Sequence, residues 1–220
     1  MTVSRSTVSA GSPCSSPSTL PSISTCSARV LRYLRGLMNH LGVVGAGVQG
    51  FNQGLFAAIA RPISDVHVFD HRSGVGPAFL QRLSEALPGV RVHQAPSVEA
   101  LLAAAETVIT ATTSSEPVLP DEEELLRGRH FVGIGSFKPT MREFPEALFR
   151  LVSRVFVDTE HASVESGDLV GPLQEGWVQR ERVVPLGRLL TETETFVDPH
   201  RETPSLNPWA WPCLTSVPPA

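Results

Sequence analysis

The hexapeptide GAGVQG at residues 45–50 lies in a setting that few folds share. The apolar run LGVVG leads into it, which predicts a buried strand, and FNQGLFAAIA follows with apolar residues at helical spacing. A second β-rich run, VHVFD, closes with Asp70, twenty residues beyond Gly50. Strand, glycine loop, helix and strand-terminal acid in this order are the signature of a dinucleotide-binding βαβ unit. A glycine-rich turn that binds no ligand is the alternative.

Each glycine of the loop has a physical reason to be there. Gly45 allows the tight turn out of the strand, Gly47 lets the backbone approach a pyrophosphate, and Gly50 permits close packing of helix on strand. The amides and the dipole at the helix N-terminus then favour the anionic pyrophosphate. The loop is therefore predicted to hold the diphosphate of a dinucleotide.

Asp70 and the two residues after it bear on which dinucleotide binds. A carboxylate at the end of the second strand accepts hydrogen bonds from a ribose hydroxyl and repels a 2′-phosphate, which favours NAD(H) over NADP(H). Arg72, with His71 beside it, could instead clamp a 2′-phosphate. We expect the acid to dominate, and the predicted cofactor site includes Asp70, His71 and Arg72.

Strand and helix signals alternate through the middle of the chain. The second strand is followed by the helical PAFLQRLSEALPG, the strand VRVHQ, the helix VEALLAAA with Ser97 as N-cap, and the strand TVITAT. Residues 121–124 predict the acidic first turn of another helix, and HFVGIG and RVFVD predict two further strands. The alternation predicts an α/β fold, a doubly wound Rossmann-type parallel sheet with helices on both faces. This NAD(P)-binding domain is placed at residues 41–190.

The two ends of the chain differ in composition from the middle. Residues 1–28 are rich in Ser, Thr and Pro and carry no acid, which predicts disorder, with a targeting peptide as the alternative. Residues 29–40 are amphipathic enough for one helix. Residues 191–220 form a Pro-rich tail that is also predicted to be disordered, although Trp209 and Trp211 could contact a partner.

Composition excludes several classes of function. The 220 residues carry a formal net charge of −4, which argues against nucleic-acid binding. No run approaches the ~20 apolar residues that a membrane helix needs. The three cysteines and seven histidines show no metal-ligand spacing, so no metal site is predicted. We expect a soluble, cytoplasmic protein.

Four segments in register carry a resemblance to a known family. GAGVQG, TVITATTSSEPVL, GRHFVGIGSFKPTMREFP and RVFVDTEHASVESGDL are similar to the ornithine cyclodeaminase/mu-crystallin family, over about His40 to Leu190. The resemblance implies a nicotinamide cofactor that acts on a small imino or amino acid, by reduction of cyclic ketimines such as pyrroline- or piperideine-2-carboxylate, by amino-acid dehydrogenation, or by cyclodeamination of ornithine to proline. It also implies a homodimer.

The resemblance extends to particular positions of the cofactor site. Residues matching the pyrophosphate loop are Gly45, Ala46, Gly47, Val48 and Gln49. The family segment that follows the fourth strand and lies against the nicotinamide half of the cofactor is matched by Thr110, Ala111, Thr112 and Thr113. Ser136, Phe137 and Lys138 follow the fifth strand and are expected to face the same crevice, because ligands bind at the carboxyl ends of the strands in such a sheet.

Position 137 separates the activities of the family. The corresponding cyclodeaminase loop supplies an aspartate suited to proton transfer, whereas a phenyl ring cannot take a proton. Phe137 therefore favours hydride transfer to a C=N bond over cyclodeamination. No catalytic residue is assigned. Glu143, Glu165 and Asp168 lie in family-like segments and are expected to form caps and loop hydrogen bonds.

The segment before the glycine loop departs from the family. Members place a substrate-binding and dimerisation domain there, whereas the roughly 40 residues here do not resemble it. The expectation is that much of the dimer interface and the substrate half-site is missing. A truncated, catalytically inactive dinucleotide-binding fragment is therefore the alternative function, and end segments read out of frame would account for the abrupt changes in composition.

Overall fold

A parallel sheet with helices on both faces is the frame of this computed structural model, which describes residues 39–71, 76–191 and 215–216. The predicted disorder of residues 1–28, most of the predicted helix at 29–40, Arg72 and the two tail tryptophans lie outside the described residues. None of the helices within them is long and apolar enough to cross a membrane.

The elements follow one another in the predicted βα order. The strands are β1 (His40–Val44), β2 (Asp65–Phe69), β3 (Arg91–Gln94), β4 (Thr107–Thr110), β5 (His130–Gly133), β6 (Val155–Val157), β7 (Val183–Pro185) and β8 (Thr215–Ser216). The helices are α1 (Val48–Ala60), α2 (Gly76–Ala86), α3 (Val98–Ala104), α4 (Glu123–Leu126), α5 (Glu146–Leu151), α6 (Ala162–Glu165), α7 (Gly167–Gln174) and α8 (Leu186–Thr191), with a 3₁₀ turn at Arg180–Arg182.

Strand order in the main sheet is β3-β2-β1-β4-β5-β8, and the first five strands are parallel. Because β2 and β4 lie on opposite sides of β1, the chain reverses its direction of winding there, and a crevice opens at the carboxyl ends of these strands. Successive residues of β1 point to opposite faces, so Val43 joins one apolar cluster and Val44 the other. The doubly wound Rossmann-type fold is thus confirmed.

Local signals placed α1, α2 and α3, whereas α5, α6, α7 and α8 were not predicted. Ser97 caps α3 as predicted, because its Oγ accepts a hydrogen bond from the Ala100 amide at 3.2 Å. The acidic run was less accurate: α4 begins at Glu123, and Asp121 instead accepts a hydrogen bond from the Ala147 amide at the start of α5, at 2.7 Å. A carboxylate in a loop can satisfy whichever helix end the fold brings to it.

Three segments differ from the sequence expectation. His40 belongs to β1, where it pairs with Asp65, and not to the helix that the sequence predicted at residues 29–40. Strand β6 does not extend the main sheet but forms a separate two-stranded parallel sheet with β7. Within the tail predicted to be disordered, Thr215–Ser216 pairs antiparallel with His130 and Phe131 of β5. Both differences in pairing come from long-range backbone hydrogen bonds that leave no local sequence signal.

Candidate functional site

The glycine loop is shaped by contacts that only glycine permits. Gly45 has φ +105°, and a Cβ there would lie 2.5 Å from the carbonyl oxygen of Ala111. A Cβ on Gly50 would overlap the Gly45 carbonyl oxygen and lie 3.3 Å from Cγ1 of Val43. These two glycines therefore bring the loop, α1 and the ends of β1 and β4 together, as the spacing predicted.

Gly47 is the opposite case. It is the N-cap of α1, and a Cβ built on it would have no heavy atom within 4 Å. The space in front of the loop is therefore open, and the amides at the start of α1 border it. An open approach to a helix N-terminus is the arrangement that accepts a phosphate group against the backbone.

Asp70 ties the loop to the second strand. The Ala46 amide donates to Oδ2 of Asp70 at 2.6 Å, and the Gly45 amide donates to the carbonyl oxygen of Phe69 at 2.8 Å. The Asp70 carboxylate thus fixes the loop as well as bordering the space in front of it. His71 is exposed beside it, with its ring edge-on to Phe69 at 5.0 Å between centroids.

A cleft of about 850 Å³ joins the glycine loop to the ends of β2, β4 and β5. This volume is in the range of sites that enclose small molecules and cofactors. The residues that line it are Gly45, Gly47, Val48, Gln49, Asp70, His71, Ala111, Thr112, Thr113, Ser114, Glu116, Pro117, Val118, Ile134, Gly135 and Phe137.

Most of the predicted cofactor residues meet at this cleft. Those that line it are Gly45, Gly47, Val48, Gln49, Asp70, His71, Ala111, Thr112, Thr113 and Phe137. Two others, Ala46 and Gly50, lie behind the surface of the loop and hold its shape. Arg72 is outside the described residues, so its role in nucleotide choice stays a prediction.

Three residues that were expected at the cleft do not line it, namely Thr110, Ser136 and Lys138. Thr110 is fully buried and donates its hydroxyl to Oε2 of Glu143 at 2.9 Å. Ser136 is buried too, with its Oγ 2.8 Å from Oγ of Ser166. Direct cofactor contact by Thr110 and Ser136 therefore stays a prediction. These hydroxyls are committed to partners about 30 residues away in sequence, which the local pattern could not reveal.

Six lining residues were not predicted, namely Ser114, Glu116, Pro117, Val118, Ile134 and Gly135. Ser114 and Glu116 form a hydroxyl-stabilised turn, in which the Ser114 hydroxyl donates to the Glu116 carbonyl at 2.7 Å and accepts from its amide at 3.1 Å. The SSEP sequence was the signal that could have found this turn, because a serine hydroxyl can bond the backbone two residues on and the residue before a proline is disfavoured in a helix.

The charge of the cleft is negative on its described side. Asp70 and Glu116 line it, and no lysine or arginine is among the described lining residues. Within the described part of the chain, no group of His, Cys, Asp and Glu could hold a metal ion. The polar groups that line the cleft therefore include loop amides, hydroxyl groups, the side chains of Gln49 and His71, and two carboxylates.

The buried carboxylate of Glu143 lies directly behind the cleft. Its Oε1 accepts from the Thr112 amide at 2.6 Å and from the Thr112 hydroxyl at 2.8 Å. Its Oε2 accepts from the Thr110 hydroxyl and from the Gly135 amide at 2.7 Å, with the Ile134 amide at 3.3 Å. The expectation that Glu143 forms loop hydrogen bonds is thus confirmed.

Glu143 and Asp168 form a pair of buried acids. Oδ1 of Asp168 accepts from the amides of Glu143 and Phe144 at 2.8 and 2.9 Å. Burial, together with the nearby charge of Asp168, raises the pKa of Glu143 to about 7, against the hydrogen bonds from Thr112 and Gly135 that lower it. Burial also raises the pKa of Asp168. Asp168 thus also has the hydrogen-bonding role expected from the sequence.

Fold and cleft together define a Rossmann-type domain of the dinucleotide-binding class. The chain matches the ornithine cyclodeaminase/mu-crystallin family over residues 23–192 and belongs to that family. The resemblance found in the sequence is thereby confirmed.

Individual relatives are similar at moderate identity. A Delta(1)-pyrroline-2-carboxylate reductase of Bacillus cereus is 28% identical over 155 residues, which are 69% of this chain and 46% of the relative. The structure of the Thermococcus litoralis Delta(1)-pyrroline-2-carboxylate reductase in complex with NADH and L-proline matches with a TM-score of 0.74 and 25% identity, over 84% of this chain and 57% of that one. A probable ornithine cyclodeaminase from Bordetella pertussis Tohama I gives a TM-score of 0.73 and 26% identity, over 84% and 58%. The chain spans about half the length of the curated relatives it matches.

Proposed function

We propose that this chain provides the cofactor-binding part of a nicotinamide dinucleotide-dependent reductase of small imino acids, such as pyrroline-2-carboxylate. The observation that carries the proposal is the cleft that joins the open face of Gly47 to Thr112, Thr113 and Phe137. Similarity to the pyrroline-2-carboxylate reductases supports the substrate class. The bound nicotinamide supplies the hydride for such a reduction.

The residues of this chain have separable tasks in that proposal. The amides that follow Gly47 receive the pyrophosphate at the start of α1. Thr112 and Thr113, at the end of β4, border the nicotinamide half, and Phe137 covers the cleft with an apolar ring that is 39% exposed. An apolar cover excludes water from the place where substrate and cofactor meet.

Asp70 supports NAD(H) over NADP(H) as the cofactor. Its carboxylate borders the cleft and is fixed by the Ala46 amide, so it cannot swing away without releasing the loop. A 2′-phosphate beside this carboxylate would meet a like charge. The ribose hydroxyls of NAD(H) can instead donate to it.

Phe137 separates the proposal from the cyclodeaminase alternative. It lines the cleft where a cyclodeaminase of this family would need a proton-transferring carboxylate. The other alternative, a dinucleotide-binding fragment without turnover, is favoured by the negative charge of the cleft. Among the described lining residues no cation is present to hold a substrate carboxylate.

The test is a titration of the purified full chain with NADH and NADPH, followed by nucleotide fluorescence, with and without pyrroline-2-carboxylate. Saturable NADH binding with substrate-dependent oxidation is the expected result. Binding without oxidation would support the inactive-fragment alternative. No binding of either nucleotide would refute the proposal.

A pair of glycine variants locates the binding event. Gly47→Ala places a methyl group in the open space in front of the loop and should weaken NADH binding by about tenfold, or ~1.4 kcal/mol. Gly187→Ala is the matched control, because Gly187 is exposed in α8 and its Cβ also meets nothing within 4 Å. Equal NADH affinity of the two variants would place the nucleotide elsewhere.

A further inference from the structure

Glu143 is a fully buried carboxylate that accepts all the hydrogen bonds described for its two oxygens. Three of its donors are backbone amides, which cannot reverse their role. An acceptor-only group is therefore required at this position, and an ionised carboxylate meets that requirement fully. A protonated carboxyl would direct a hydrogen at one of its present donors.

The donors come from two separate strand ends. Thr110 and Thr112 lie at the end of β4, whereas Ile134 and Gly135 follow β5. Of these four residues, Thr112, Ile134 and Gly135 line the cleft. The carboxylate therefore holds the part of the cleft floor at which the two strands end.

The position leaves little room for a substitute. A Cβ added to Gly135 would lie 2.5 Å from Oε1 of Glu143, so the two loops are in close contact around the carboxylate. Glu143 is sealed from solvent between these loops.

The charged groups that face Glu143 are few. Asp168 approaches from α7 and raises the pKa of Glu143 by its negative charge. Arg142, the preceding residue, lowers the pKa of Asp168 and has its guanidinium 4.3 Å above the ring of Trp177. From the ends of β4 and β5, hydroxyl groups and backbone amides face it.

We propose that Glu143 is a positioning residue of the dinucleotide site, whose ionised carboxylate holds the ends of β4 and β5 in the arrangement that binds the nicotinamide half. This inference rests on the function proposed above. It assigns no contact between Glu143 and the ligand, since the carboxylate acts through Thr112 and Gly135.

The ionised form has opposite effects on binding and on stability. The pKa of Glu143 is about 7 in the folded chain, above the ordinary 4.5, so the folded state binds a proton more tightly than the unfolded state. The free energy of unfolding that Glu143 contributes is therefore present below pH 4.5 and is lost as the pH rises through 7. Nucleotide affinity follows the ionised form and increases over the upper part of the same range.

The first experiment measures NADH affinity of the full chain between pH 6 and pH 8. With a pKa of about 7, roughly one tenth of the molecules are ionised at pH 6, so affinity should be about tenfold weaker there than at pH 8. His71 and two carboxylates, Asp70 and Glu116, also line the cleft. The variants therefore have to isolate the contribution of Glu143.

Glu143→Gln keeps the volume but turns an NH₂ group toward donors in either orientation of the amide. We expect NADH binding that is about tenfold weaker than wild type at pH 8 and nearly independent of pH. Glu175→Gln is the matched control. Glu175 is exposed at the end of α7, so its substitution removes the same charge from the surface. A folded Glu143→Gln variant with wild-type affinity and pH profile would overturn the inference.

Thr110→Val provides a test that does not remove the carboxylate. It deletes one donor to Glu143 without touching the lining of the cleft. Loss of a hydrogen bond to the charged form raises the pKa further, so the midpoint of the binding profile should move upward by about half a pH unit or more. A role in stability alone would leave this midpoint unchanged, and an unchanged midpoint would count against the inference.

The amide NMR signals of Thr112 and Gly135 separate this inference from the proposed function. Without any nucleotide, both signals should shift together with a midpoint near pH 7 in wild type and stay constant in Glu143→Gln. If both amide signals titrate but the chain binds neither NADH nor NADPH, the positioning of the two loops by the Glu143 carboxylate is supported. The proposed function is refuted in that case. Signals that shift in Glu143→Gln as they do in wild type would overturn the inference, because the shift would then not come from this carboxylate.

Discussion

Replacing Gly167 by alanine should destabilise this chain strongly, whereas the same change at Gly171, four residues later in α7, should change its stability little. A Cβ on Gly167 would overlap the carbonyl oxygen of Met141 and lie 2.9 Å from that of Lys138. A Cβ on Gly171 meets only Nη1 of Arg142, at 3.9 Å. The two variants add the same methyl group to the same helix, so their difference isolates the packing of its first turn.

The magnitude follows from these contacts. Backbone carbonyl groups cannot rotate aside, so the start of α7 or the loop before Glu143 has to move by about 1 Å or more, which we take to cost about 3 kcal/mol. At Gly171 the reduced entropy of the unfolded chain contributes about 0.5–1 kcal/mol of stability, which is offset by the contact of the added Cβ with the following residue, Pro172. At roughly 2–4 °C per kcal/mol, this corresponds to a Tm lowered by about 6–12 °C in Gly167→Ala and nearly unchanged in Gly171→Ala.

Thermal and urea unfolding, followed by circular dichroism, measure both changes on the full chain. Displacement of α7 would also separate Asp168 from the Glu143 amide. Gly167→Ala should therefore disturb the cleft floor, which Gly171→Ala should leave intact. Equal stability of the two variants would refute the contact of α7 with the loop at residues 138–141.

Three further predictions concern charge and pH. Burial lowers the pKa of His130 to about 4, so acidification from pH 6.5 to 4 should reduce the free energy of unfolding by about 3 kcal/mol, and urea midpoints of His130→Leu should lack this dependence. The pKa of Asp65 is far below its usual range, because Arg91 donates two hydrogen bonds to its carboxylate and Ser64 and His93 add contacts. The stabilising effect of the ionised carboxylate is present above about pH 4 and is lost below it. The Tm difference between wild type and Asp65→Asn should therefore shrink as the pH falls through 4. Asp70→Asn should raise NADPH affinity relative to NADH by about tenfold in parallel titrations, and an unchanged ratio would show that Asp70 does not select the cofactor.

The sequence predicted what is encoded locally. The positive φ of Gly45 could be predicted from the glycine loop itself. The position of the loop at the carboxyl ends of the strands could be predicted from the alternation of strand and helix alone. Ser97 capped its helix because an N-cap needs only the next three residues. Such features depend on neighbours in the chain, and a single sequence contains them.

Other features depend on residues distant in sequence. Thr110 and Thr112 at the end of β4 both donate their hydroxyls to Glu143, which is 33 and 31 residues away in sequence. Thr110 is nevertheless fully buried, whereas Thr112 lines the cleft. Ser136 likewise meets a partner, Ser166, that is 30 residues away. No periodicity or spacing separates the two threonines, because their shared partner lies on a loop that only the fold brings to the ends of β4 and β5.

The two-residue strand β8 has a consequence for how this chain behaves in concentrated solution. It pairs with β5, a strand whose four residues are all buried, at an edge of the main sheet. An uncovered edge of this kind offers free backbone donors and acceptors to any other extended chain. Thr215 and Ser216 occupy part of this edge by pairing with His130 and Phe131. Chains that lose this pairing should form fibrillar or amorphous precipitates at concentrations at which the intact chain stays dispersed.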